Sequence, residues 1–238
     1  MHQLTPERQF AQLLAADPGR PLVTYYDEAT GERTELSARS LANWVAKTHH
    51  LLGDELGLGL GDTALIALPA HWLAVPVLLG CLTAGLAISP DDASAEVAFV
   101  TPESAAGAVG VLDVFGIAPE SPFAAVGFRG AAPEGVADYV LAVRPQADAW
   151  GSVAMPAGPD DPCLPGQARG EVAQRAAAAG LPPGARVLTT RDWTGPGDWV
   201  DTLLAPIAAG GSIVFVRNCV DEAVLARRMD QERATVRL

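Results

Sequence analysis

Two short segments place polar side chains where an α/β sheet could use them. His71-Trp72 and Asp192-Trp193 each follow a stretch that reads as a parallel β-strand, and open α/β sheets gather ligands at the carboxyl ends of their strands. An imidazole and a carboxylate beside two indoles suit a small organic or acyl ligand. They do not suit a triphosphate, because Asp192 would repel it. If the two segments lie side by side, His71, Trp72, Asp192 and Trp193 line one ligand-binding crevice. The competing reading makes Asp192 a helix cap and packs both indoles in the core.

No other segment assembles chemistry, and no catalytic residue is assigned. The sequence has no G-x-S-x-G, no H-E-x-x-H and no G-x-G-x-x-G following a strand. Gly57-Leu58-Gly59-Leu60-Gly61 precedes its strand and reads as a turn. His49 and His50 point about 100° apart on a helix and share no ligand direction. Asp91-Asp92 and Asp160-Asp161 fall in Pro-flanked loops and read as caps or solvated turns. Cys81, Cys163 and Cys219 are far apart and odd in number, as for buried thiols in a reducing cytosol. Neither metal nor cofactor is expected.

The elements that must position these residues follow from patterning. A chain of 238 residues, 49% hydrophobic and 18% charged, can bury a full core. A net charge of −12 argues against nucleic acid and anionic lipid as partners. The N-terminal residues lack a basic-then-apolar pattern, so a cytoplasmic location is expected. Residues 63–90 carry no Asp, Glu, Lys or Arg. Pro69, Pro76, His71 and the acidic flanks Asp62 and Asp91 argue against a membrane span; the stretch divides into strand 63–68, helix 71–85 and strand 86–89.

Thr5-Pro6 starts a helix to about residue 16, residues 22–26 and 33–36 form a hairpin, and Ser37 caps a helix through about Leu52. Val97–Val100, Gly110–Leu112 and Ala124–Phe128 are expected as strands, and Val136–Val143 as a helix. The Pro/Gly-rich stretch 147–162 reads as a linker. Beyond it come helix 171–179, strand 186–190, a helix to about 208, strand 212–216, a helix capped by Asp221, and a strand from Thr235.

The two βαβ units match in order. Gly61-Asp62-Thr63-Ala64-Leu65 parallels Gly184-Ala185-Arg186-Val187-Leu188, and Thr83-Ala84-Gly85-Leu86-Ala87-Ile88 parallels Ala208-Ala209-Gly210-Gly211-Ser212-Ile213. The expected fold is α/β, with two βα lobes and mainly parallel sheets, one lobe over 1–150 and the other over 160–238.

The run Thr34-Glu35-Leu36, Leu41-Ala42, Gly57, Gly61-Asp62 and Leu82–Pro90 resembles the N-terminal region of the AMP-binding, adenylate-forming superfamily. So does the later run Pro183–Leu188 and Leu204–Val214, which resembles the segment after that family's phosphate loop. In the family a Ser/Thr/Gly-rich loop ending in Lys holds ATP phosphates between these runs. Here the corresponding stretch is Asp160–Glu171, with no Ser, Thr or Lys. Arg169 could supply one charge, and the chain's one lysine, Lys47, lies on an early helix. The family's adenine- and ribose-contacting segments and its lysine-bearing lid have no counterpart in the 238 residues.

The resemblance therefore implies a non-catalytic, pseudoenzyme-like relative that serves as a small-ligand-binding or assembly protein. The alternative is a subunit of an acyl-adenylating ligase completed in trans by another chain. In related enzymes this region packs against parts with no counterpart here. A homodimer is thus expected, with a further protein partner as an option.

Overall fold

The computed structural model describes residues 4–120, 124–128, 130–149 and 155–238. Part of the expected 147–162 linker, residues 150–154, lies outside them.

Helix α1 (Pro6–Ala16) starts with Pro in its first turn and buries Phe10 and Leu13. Strands β1 (Pro21–Asp27) and β2 (Glu32–Ser37) form an antiparallel hairpin. Ser37 accepts the Ser40 N–H to cap helix α2 (Ala38–His50), which runs into a π-helical turn at Leu51–Glu55. Strand β3 (Thr63–Ala67), helix α3 (Ala74–Ala84) and strand β4 (Ala87–Ser89) follow, with β3 and β4 parallel. Every residue of α3 is buried, which explains its apolar composition without a bilayer. Gly80 on α3 lets α2 approach, since a Cβ there would lie 2.5 Å from Thr48 Cβ. No described helix is long and apolar enough to cross a membrane.

Strands β5 (Val97–Val100), β6 (Asp113–Gly116) and β7 (Ala137–Asp138) lead into helix α4 (Tyr139–Val143). Here the sequence reading needs correction. The expected strand at 110–112 forms three residues later. Residues 124–128 hold a short 3-10 turn instead of a strand, and 136–143 splits into β7 and α4, because Asp138 caps α4 through the Leu141 N–H.

The last third holds a hairpin of β8 (Pro162–Leu164) and β9 (Gln167–Ala168), helix α5 (Arg169–Ala177) and strand β10 (Arg186–Thr189). Helix α6 (Pro196–Trp199), a π-helical turn (Val200–Leu204) and helix α7 (Ala205–Ala208) run on without a break. Strand β11 (Ser212–Arg217), helix α8 (Glu222–Glu232, capped by Asp221) and strand β12 (Val236–Arg237) complete the order.

The strands make two five-stranded sheets, ordered β12-β10-β11-β1-β2 and β4-β3-β5-β6-β7, parallel throughout except for β1–β2. The first sheet draws on both sides of the 147–162 stretch, so the boundary between the sheets differs from the expected split into 1–150 and 160–238. The cause is the parallel pairing of β1 with β11, Val23 to Ile213 through Asp27 to Arg217. One continuous hydrophobic core joins the two sheets, from Phe10, Val23 and Tyr25 to Phe99, Leu203 and Phe215.

Candidate functional site

A crevice with a volume of about 360 Å³ opens at the carboxyl ends of strands from both sheets. Ile66–Pro69 come from the end of β3, Thr101 follows β5, Glu120 follows β6, Asp192–Gly195 follow β10, and Arg217 ends β11. Parallel strands converge there, which is the place where open α/β sheets bind ligands.

Two of the four expected residues, Asp192 and Trp193, line this crevice. Asp192 Oδ1 accepts the N–H groups of Ala70 (2.7 Å) and Trp193 (2.8 Å), so it fastens the turn after β3 to the turn after β10. The two turns are adjacent, yet His71 and Trp72 point away from the crevice into the core. Trp72 Nε1 donates to Glu32 Oε1 at 2.9 Å, and its ring lies 5.7 Å from that of Trp44. His71 is fully buried beside Tyr25, ring centroids 4.6 Å apart. Helix α3 begins only at Ala74, and the turn before it swings both side chains inward.

His71 Nδ1 accepts the Leu73 N–H at 3.1 Å, so the ring proton of the neutral imidazole sits on Nε2. Burial, reinforced by the Arg217 charge and opposed by Asp27, pushes its pKa down to about 3. Burial likewise pushes the Tyr25 phenol well above its ordinary range.

The sequence reading missed Arg217 and Trp199. Arg217 lies 3.5 Å from Asp192 and 3.7 Å from Glu120. It sits at the end of a parallel strand, so the rule that picked out His71 and Asp192 would also have found it. Trp193 Nε1 donates to Thr202 Oγ1 at 2.9 Å. Trp199 lines the crevice at 1% exposure, and its Nε1–H has no acceptor among the described residues.

Residues 160–171 form the β8–β9 hairpin and the first turn of α5, and the amides of Ala168, Arg169 and Gly170 are already engaged. Ala168 N–H donates to Glu171 Oε2 (2.9 Å), Arg169 N–H to Asp161 O (2.9 Å) and Gly170 N–H to Pro159 O (2.8 Å). The Arg169 side chain faces inward. Its guanidinium donates to Leu82 O (2.9 Å) and Leu86 O (2.7 Å) at the end of α3, and lies 3.1 Å from the buried Glu7 carboxylate. The thought that Arg169 offers a charge to an anion is therefore corrected. Lys47 is also committed, donating to Arg144 O and Gln146 O.

No protein-family model matches the sequence. Among solved structures, the whole chain superposes on half of the anthranilate CoA ligase AuaEII, in complex with anthranoyl-AMP (TM-score 0.76, 14% identity). It also superposes over 98% of its length on 47% of a Brucella canis acyl-CoA synthetase (TM-score 0.73, 14% identity) and on 42% of a Streptomyces lividans acetoacetyl-CoA synthetase (TM-score 0.77, 18% identity). The fold is that of the N-terminal region of adenylate-forming enzymes, and the chain spans about half the length of these enzymes. At the level of sequence, it is 43% identical over 235 residues to a TIGR03089 family protein of Mycobacterium tuberculosis (strain ATCC 25618 / H37Rv), covering 94% of this chain and 93% of that protein. The chain belongs to the TIGR03089 family.

Proposed function

We propose that this protein is a non-catalytic relative of adenylate-forming enzymes that binds a small organic ligand in the crevice between its sheets. The observation that carries this reading is the state of residues 160–171. The amides of Ala168, Arg169 and Gly170 at the start of α5 are paired within the chain, and Arg169 is buried against Glu7 and the end of α3. A triphosphate would find no free nest of N–H groups there. The crevice, by contrast, keeps Asp192, Trp193 and Arg217 at strand ends.

Isothermal titration with ATP and Mg²⁺ tests the first half. The expected outcome is no micromolar binding and no adenylate formation from a panel of carboxylic acids. A micromolar dissociation constant, about −8 kcal/mol, would overturn it.

A second reading is a ligase subunit completed in trans. It is favoured by the extent of the superposition, since the acyl-CoA and anthranilate ligases carry about as much chain again beyond the matched part. Co-purification with a chain that restores adenylation would establish it. On either reading we place the protein in the cytoplasm, in keeping with three free cysteines, and as a homodimer.

A further inference from the structure

We infer that the crevice is built for an organic cation, an amine on a compact carbon body. This rests on the ligand-binding reading above. Among the described residues, the charged side chains lining the crevice are Glu103, Glu120, Asp192 and Arg217. One guanidinium thus faces three carboxylates, and it already contacts two of them. The residual charge of the lining is negative, and the whole molecule's charge of −12 adds to the attraction for cations.

The walls contribute the second half of the argument. Trp193 and Trp199 line the same space, and an indole face attracts a cation through its quadrupole. Trp199 is held at 1% exposure, which fixes its ring as part of the wall. The apolar lining from Ile66, Leu68 and Pro69 accommodates a carbon body. A free carboxylate or phosphate on the ligand would meet Asp192 and Glu120 and be repelled.

The test uses three molecules of nearly one shape: para-(aminomethyl)benzamide as cation, para-(hydroxymethyl)benzamide as uncharged analogue, and para-carbamoylbenzoate as anion. Each is titrated into the full chain at low salt while the indole N–H signals are followed by NMR. The cation is expected to shift the Trp199 indole signal and to bind about ten-fold more tightly than the uncharged analogue, with the anion weakest. Glu103→Gln and Glu120→Gln are each expected to narrow that gap. If the uncharged analogue or the anion shifts Trp199 as tightly as the cation, the inference fails and the ligand-binding reading stands. If the cation binds without moving Trp199, the crevice is not its site and the inference fails. If none of the three perturbs Trp193 or Trp199 at millimolar concentration, both fall together.

Discussion

The carboxylate of Asp192 accepts the backbone N–H of Ala70 at 2.7 Å and so ties a turn of one sheet to a turn of the other. Asp192→Ala is expected to lower stability by about 1–2 kcal/mol, the range for losing a charged acceptor from backbone donors. Asp192→Asn keeps an oxygen in place and should lose less. Urea denaturation of the two variants checks the order, and equal losses would show that the acceptor is not what matters.

Arg169 and Glu7 are both buried, at 0% and 1% exposure. Arg169→Met leaves a carboxylate without its counter-charge and two helix-end carbonyls without a donor. It is expected to cost about 3–5 kcal/mol. Glu7→Gln should cost less, because the guanidinium keeps Leu82 O and Leu86 O. Thermal or chemical unfolding reads both.

Acid should weaken the fold through His71. Its pKa is pushed down to about 3 in the folded chain against an ordinary 6.5, so the unfolded chain binds the extra proton first. Stability therefore falls as pH drops from about 6.5 toward 3, by up to about 1.4 kcal/mol per unit for one such group. Burial holds His49 down as well, in the same direction. Asp27, Asp198 and Glu232, whose carboxyls are held low, lose their contribution only in the carboxylate range below about pH 4. His71→Asn supplies an amide oxygen to the Leu73 N–H and should flatten the slope between pH 6.5 and 4.5. An unchanged slope would remove His71 from the account.

Light scattering at micromolar concentration should return about twice the 24.6 kDa chain mass. Val109 and Leu112, 80% and 93% exposed on the connection before β6, are natural positions to test; Leu112→Glu should shift the population toward monomer. A wild-type mass of one chain would rule out the dimer.

The β3–α3–β4 unit was legible because its strands and helix are apolar on all sides and glycine marks the exit. Gly85 indeed closes α3 with φ of 98°. The stretch from 91 to 147 was harder, since strands of two to four residues leave too few alternations to reveal a period. Asp192 as a cap was legible in kind, although it caps a turn in the other sheet. The inward rotation of Trp72 was not, because its acceptor, Glu32, lies 40 residues earlier. Trp199 lay inside a helical run, where sequence periodicity sees only core.

The pairing of β1 with β11 sets the timetable of folding during synthesis. Arg20 holds Gly210 O across 190 residues of chain, and every contact of β1 with β11 waits as long. The all-parallel sheet, whose strands fall between 63 and 138, can assemble while the ribosome is still at work. The hairpin of β1 and β2 lacks its parallel neighbour until residue 217 has emerged, leaving one edge of β1 unpaired. A chaperone that captures the nascent chain should therefore be found on its first forty or so residues, and should let go only when β11 arrives.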